Sequence, residues 1–231
     1  IMNYAELISE SEAADEMIRE FAAEIDIETK RVATIVRNLL AFSRQELSEA
    51  KEPYDVRSII EGTLTLVRAV LRKDQIEVSV DIPPELPEVL CRRQQIQQVL
   101  MNLVTNARDA LNGRYAGFHP DKRVEIRAEV FSEFSEPWVR IIVSDHAGGI
   151  PAEVVGRIFD PFFTTKGRDQ GTGLGLAMSH GIVADHGGRL ELDNRIGDGA
   201  SFAIELPCLG TAEPATREPG LSGVWTIAGG L

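Results

Sequence analysis

Cysteine is scarce in this chain: its 231 residues hold only Cys91 and Cys208. Two thiols so far apart make neither a metal-ligand spacing nor a disulfide framework, so a reducing compartment is the default. No apolar run approaches the roughly 18 residues a membrane-spanning helix needs, and the first residues do not read as a signal peptide. Basic charge is also in deficit. With 24 Lys and Arg against 36 Asp and Glu, the net charge is −12, which argues against a general nucleic-acid binder and leaves only room for a local basic pocket. There is no internal repeat. What remains, 43% apolar and 26% charged, suits a soluble globular chain with room for one full domain and a smaller element. It opens on Ile1, inside a pattern, and reads as a fragment of a longer protein.

Proline and glycine are missing from residues 1 to 46, where Ala, Glu and Ile dominate and favour helix. Met17, Ile18, Phe21 and Ile25 recur at helical steps, as do Val32, Ile35, Val36, Leu39 and Phe42. The reading is two helices joined within residues 20–27. A lone hairpin leaves such stripes uncovered; dimerisation into a four-helix bundle covers them, and docking on the chain's own domain is the alternative. Lys51-Glu52-Pro53 interrupts the pattern and marks a domain boundary.

Beyond it, Val56–Arg72 predicts a helix, Ile76–Ile82 a strand, and Pro83, Pro84 and Pro87 a turn. Arg92–Leu111 predicts a long helix. Val124–Val130 and Trp138–Ser144 predict strands paired across Glu133–Pro137. The Gly-rich residues 145–175 lead into a helix ending near His186. Arg189–Leu192 and Ser201–Leu206 are strands around an Arg195–Gly199 turn. Residues 208–231 lack apolar periodicity and read as a disordered linker or tail. The pattern predicts helices on one face of a largely antiparallel sheet.

Three segments carry chemistry. On the helix from Arg92, Ile96, Val99, Leu100, Leu103, Val104, Ala107 and Leu111 form one stripe at about 100° per residue. Gln95, Gln98, Asn102, Asn106 and Asp109 form another, with Asn106 at the edge of the apolar one. An Asn held there can offer its amide oxygen to Mg²⁺, a hard cation that also takes water and phosphate oxygens; a solvated helix face is the competing reading. The strand Val139-Arg-Ile-Ile-Val-Ser-Asp145 ends in a carboxylate followed by His146-Ala-Gly-Gly149-Ile150-Pro151. A buried carboxylate there can accept a hydrogen bond from an exocyclic amine such as that of adenine, with glycines admitting a flat ring; a turn with an Asp cap competes. Last come Phe159-Asp-Pro-Phe162-Phe163-Thr-Thr-Lys166 and Gly171-Thr172-Gly173-Leu174-Gly175-Leu176. Alternate glycines before a helix leave backbone N–H groups free for phosphates, Lys166 adds a point charge, and Phe159, Phe162 and Phe163 would anchor the loop. A flexible surface loop competes.

In that order and spacing, residues 53–207 resemble the catalytic ATP-binding domain of sensor histidine kinases, within the superfamily of gyrase, Hsp90 and MutL. The boxes are Asn102-Leu-Val-Thr-Asn106-Ala-Arg-Asp109-Ala110, Asp145–Pro151, Phe159–Lys166 and Gly171–Leu176, closed by Gly197–Pro207. Phe162-Phe-Thr-Thr-Lys166 resembles the nitrogen-regulator-like subgroup. Residues 1–50 resemble the helical dimerisation and phosphoacceptor hairpin, cut short at its start. The resemblance implies an α+β fold: a two-layer α/β sandwich with a mixed, mostly antiparallel sheet, preceded by a helical hairpin. It implies ATP and Mg²⁺, with Asn106 holding the metal and Asn102 assisting. Asp145 would bind the adenine amine, and Gly149 would let the ring sit close. Gly171, Gly173 and Gly175 would form a phosphate lid beside Lys166. Asp109, Ile150, Phe159, Thr172, Leu174 and Leu176 would complete the pocket. It implies a homodimer through the N-terminal helices and a response-regulator receiver domain as partner. Neither nucleic acid nor a membrane contact by this fragment is implied. The location is cytoplasmic, with an anchor in the full-length protein left open.

Hydrolytic members of the superfamily carry Glu four residues before the metal-binding Asn, as general base. This chain has Asn102, which cannot take a proton at neutral pH, so a phosphoryl acceptor other than water is implied. Two departures stand out. Ala147 replaces a glycine usual in the family. None of His119, His146, His180 and His186 sits in a phosphoacceptor pattern, which places the acceptor roughly ten residues before Ile1. Two alternatives remain: an anti-sigma-type Ser/Thr protein kinase, disfavoured by the helices before Pro53, and a degenerate module that dimerises and docks a response regulator without ATP.

Overall fold

The computed structural model describes residues 16–45, 50–133, 135–167 and 171–209. The chain divides into two compact units, one of residues 1–49 with 160–174, the other of residues 50–159 with 175–231. In the first unit, helix α1 (Glu16–Gln45) runs unbroken. The joint expected within residues 20–27 is therefore absent: Glu20 to Ile27 contains no Gly, Pro or turn-forming pair, so nothing there stops helix propagation. Residues 1–15, where the first of the two expected helices would begin, lie outside the described residues. Met17, Ile18, Phe21, Ile25 and Val32 are all exposed and fall on one face of α1.

The second unit carries two sheets. Strands β1 (Glu52–Asp55) and β3 (Glu88–Cys91) pair antiparallel. Five strands form the main sheet in the order β2-β4-β5-β7-β6: β2 (Glu77–Asp81), β4 (Arg123–Glu133), β5 (Glu136–Asp145), β7 (Gly199–Pro207) and β6 (Arg189–Arg195). Only the β2–β4 pairing is parallel; the other three are antiparallel. The helices are α2 (Val56–Lys73), α3 (Arg93–Arg114), the short α4 (Ala152–Val155) and α5 (Gly175–Asp185). Asp55 caps α2, its carboxylate accepting from the Arg57 and Ser58 N–H groups at 3.0 and 3.2 Å.

Period-two alternation decides what each strand buries. Val139, Ile141 and Val143 of β5 lie between Ile126 and Ala128 of β4 and Phe202, Ile204 and Leu206 of β7, all buried. Ile59, Ile60 and Leu64 of α2, Ile96, Leu100 and Leu103 of α3, and Ile182 and Val183 of α5 complete that core. The opposite side chains form a charged row in register across four strands, Glu129–Arg140–Glu205–Arg189. Glu205 is wholly buried and accepts from Arg140 Nε at 2.7 Å and Arg189 Nη2 at 2.6 Å, while Arg140 Nη1 reaches Glu129 at 2.7 Å. Arg140 lies over Phe131 and Arg189 over Trp138. Strand β1, strand β3 and helix α4 do not follow from the sequence reading. Four residues beside prolines are too few to show a period.

Candidate functional site

Asp145 ends the inward row Val139, Ile141, Val143 of β5, so alternation puts a carboxylate on the apolar face. It is 8% exposed. Burial pushes its pKa above the usual carboxylate range, partly opposed by the N–H groups of Ala147 and Ala200, which donate to Oδ1 at 2.9 and 3.5 Å. Both bonds fall on Oδ1, and none from the described residues falls on Oδ2. No buried side-chain oxygen among the described residues lacks a partner, so Oδ2 is open to the outside, where it can accept from a donor that the protein does not itself supply.

The loop after Asp145 is held by the opposite end of the sheet. Asn194, on β6, accepts from Ile150 N–H and donates to Ile150 C=O, both at 2.7 Å. Gly148 N–H reaches Asp198 C=O at 3.1 Å, and Gly197 N–H returns to Gly148 C=O at 2.9 Å. Gly148 and Gly149 have φ of 89° and 80°. A Cβ on Gly149 would stand 2.8 Å from the Arg195 carbonyl, so glycine is required there. Ala147 is different. It is not among the described residues with positive φ, and it packs against the core, so its methyl group costs no backbone strain. Tyr115 Oη donates to His146 C=O at 3.0 Å and fastens the same loop to the end of α3.

On α3 the apolar stripe is buried as the spacing predicts (Ile96, Val99, Leu100, Leu103, Val104, Ala107 and Leu111), and Gln98, Asn102, Asn106 and Asp109 of the polar stripe are half-buried, but Gln95, at the first turn, is buried with the apolar residues. Asn102 Nδ2 donates to Ser179 Oγ of α5 at 2.9 Å. Gly175 opens α5 against the same amide: a Cβ on it would overlap Asn102 Oδ1. Arg108 and Asn112 hold Asp74, just beyond α2, at 2.5 and 2.8 Å; with the Asn112 amide the largest cause, its carboxyl lies below the usual range. Phe159 packs on the core, its ring 5.4 Å from that of His180. Ile150 and Leu176 also pack there.

Lys166, Gly171, Thr172, Gly173 and Leu174 belong to the other unit. Within that segment Phe162 N–H donates to Gly173 C=O at 2.9 Å, and both residues are left-handed, with φ of 68° each. A Cβ on Gly173 would overlap the Phe162 backbone. Lys166 N–H and Leu174 N–H are turned onto the Thr164 and Thr172 hydroxyls. Phe162 is 59% exposed, so it does not anchor the loop as the sequence suggested.

The histidines have structural contacts. His186 Nε2 accepts from Arg92 N–H at 3.0 Å, and its Nδ1 bonds Ile182 C=O at 2.7 Å. His119 stacks on Tyr115, and His146 meets Glu125 at 3.1 Å. Burial pushes the Cys91 and Cys208 thiols up to about 11 and about 12, far from nucleophilic. Among the described residues no three His, Cys, Asp or Glu side chains gather to hold a metal, and no helix is long and apolar enough to cross a membrane. Asn194, Ser179 and Tyr115 support the site without any motif that marks them in the sequence; Gly199, whose Cβ would overlap the Asp145 carbonyl, lies in the closing Gly197–Pro207 box.

Residues 91–209 match the family described as histidine kinase-, DNA gyrase B-, and HSP90-like ATPase. The two-component sensor PprA of Pseudomonas aeruginosa is 40% identical over 189 residues, 82% of this chain and 20% of that protein. The sensory histidine kinase/phosphatase NtrB of Rhizobium leguminosarum is 32% identical over 187 residues, 78% of this chain and 47% of that protein. The chain thus spans less than half the length of these relatives. Among solved structures, the catalytic domain of histidine kinase ThkA is 32% identical with a TM-score of 0.57, over 69% of this chain and 97% of that one. ThkA bound to the response regulator TrrA is 27% identical with a TM-score of 0.63, over 90% and 56%.

Proposed function

Because the chain belongs to the histidine kinase-, DNA gyrase B- and HSP90-like ATPases, in the NtrB-like group of sensor kinases, we propose that it is the kinase core of a two-component sensor histidine kinase. It binds ATP and passes the γ-phosphoryl group to a histidine for relay to a response-regulator aspartate. The observation that carries this reading is Asp145, a buried residue with one oxygen held by backbone N–H groups and the other taking no hydrogen bond from the described residues. That oxygen takes the adenine amine, and the loop pinned by Asn194 offers the ring its glycine backbone.

The donor set suits Mg²⁺. Asn106 offers a hard amide oxygen, and with no acidic cluster among the described residues most of the ion's ligands must be phosphate oxygens and water. When bound, Mg²⁺ neutralises phosphate charge. The N–H groups opening α5 favour the same phosphates. Lys166, Gly171, Thr172, Gly173 and Leu174 are assigned to them on the family pattern alone. Transfer breaks the bond between the γ-phosphorus and the bridging oxygen, ADP leaving with the electron pair, and forms a phosphorus–nitrogen bond to the acceptor imidazole. Asn102 supports a kinase over a hydrolase, because its amide cannot activate water and its Nδ2 already donates to Ser179.

The exposed apolar face of α1 supports residues 1–50 as a dimerisation element. Residues 53–207 are the catalytic domain and 208–231 the linker or tail, of which 210–231 lie outside the described residues. The partners are a second copy of the chain and a receiver domain, and the setting is cytoplasmic. The test supplies γ-labelled ATP, Mg²⁺ and a histidine-bearing dimerisation hairpin. Acid-labile, base-stable label on the hairpin is expected. Acid-stable label on an added serine substrate, or no nucleotide binding, overturns the reading.

A further inference from the structure

We propose that Asn102 is a positioning residue that fixes the first turn of α5 against the Asn106-bearing helix, and not a ligand to the metal; this rests on the nucleotide-binding reading above. Two contacts one helical turn apart on α5 converge on its amide. Ser179, 2% exposed, accepts from Nδ2 at 2.9 Å. Gly175 presents a bare Cα to the amide plane, where a Cβ would overlap Oδ1 and lie 3.0 and 3.1 Å from Cγ and Nδ2. The bond to Ser179 sets the amide plane, and that plane puts Oδ1 against Gly175. Turning Oδ1 toward a metal would break the Ser179 bond and leave a buried hydroxyl without its donor.

The far end of α5 is fixed to α3 independently. Arg92 N–H donates to His186 Nε2 at 3.0 Å, and the Arg92 guanidinium reaches Asp185 at 2.6 Å. Held at both ends, α5 can neither slide nor rotate along α3. Asn102 thereby sets where the free N–H groups at the start of α5 point relative to Asn106, one turn further along α3. This contact accounts for glycine at 175, since nothing in its φ demands it and an added Cβ would have to displace the Asn102 amide.

The test measures binding of a non-hydrolysable ATP analogue, in Mg²⁺ and in EDTA, to the wild-type chain, Asn102→Ala, Gly175→Ala, Ser179→Ala and the Asn102→Ala/Gly175→Ala pair. Gly175→Ala alone is expected to weaken binding roughly tenfold, and less than about twofold once Asn102→Ala has made room for the methyl group, the signature of a shared contact. Asn102→Ala and Ser179→Ala should each weaken binding by the same few-fold factor with and without Mg²⁺. A loss in Asn102→Ala confined to Mg²⁺, or an equal Gly175→Ala penalty in both backgrounds, overturns the inference and leaves the functional reading standing. A wild-type chain that binds no nucleotide overturns both. Should Gly175→Ala fail to fold, the Mg²⁺ dependence of Asn102→Ala and Ser179→Ala decides alone.

Discussion

At residue scale, the position of a charge on the buried face of a strand separates binding from folding. Asp145 continues a row of Val and Ile, and burial opposes its ionised form. Asp145→Asn keeps an oxygen for the Ala147 and Ala200 N–H groups while replacing the other acceptor with a donor. Losing a charged acceptor for the adenine amine should cost about 1.5–3 kcal/mol, or roughly 10- to 150-fold in affinity. The melting temperature should not fall, because a desolvated charge has been removed. Nucleotide titration and thermal melting together check this; a variant that melts lower and binds normally would make Asp145 structural. His186 gives a pH signature. Its Nε2 must be unprotonated to accept from Arg92 N–H, and burial above all, with Lys51 and Arg92 adding, lowers its pKa from 6.5. For a lowered histidine, the unfolded chain binds the proton first. This contribution to stability is whole above pH 6.5 and is lost as the pH falls below it. Denaturant melts from pH 7.5 to 5 should show that slope in the wild type and a shallower one in His186→Gln.

At the scale of elements, period and breaker residues made most of the second unit legible. The stripe from Ile96 to Leu111 matches the buried face to the residue, and the alternation in Val139–Asp145 does so except at Arg140, which the charged row buries on the opposite face. Where the signal is short or missing, the reading failed. β1 and β3 have four residues each, and helix continues through 20–27 because nothing in those residues opposes it. Of the site, the sequence displays the motif residues but not what holds them. Asn194 and Ser179 act through contacts 44 and 77 positions away along the chain, which no local pattern encodes. The Glu129–Arg140–Glu205–Arg189 row is equally hidden, since its members meet only through strand register. Glu205→Ala should destabilise by about 3–5 kcal/mol, because Arg140 is left charged in a buried place. Replacing the pair together, Arg140→Met with Glu205→Leu, should recover most of that loss. Urea unfolding of the single and double variants measures it, and a single variant within about 0.5 kcal/mol of wild type would show the row to be inert.

At the scale of the whole molecule, the apolar residues of α1 bear on assembly. Met17, Ile18, Phe21, Ile25 and Val32 share one face and are exposed. Side chains of this size left in water each forgo about 1.5–3 kcal/mol of burial. A second copy packing the same face would recover that through coiled-coil-like contacts. Asp145, Asn106 and the start of α5, to which nucleotide binding is assigned above, belong to the unit of residues 50–159 with 175–231, which has its own core, so assembly and binding should separate under mutation. Phe21→Glu with Ile25→Glu places two like charges at the centre of the shared face, and each charge must be desolvated for the dimer to form. The expected result is a dimer for the wild-type chain and a monomer for the variant, by light scattering on a sizing column, with nucleotide affinity unchanged within about twofold. A variant that stays dimeric would place the interface elsewhere. One that loses nucleotide binding along with the dimer would show that the two units act as one.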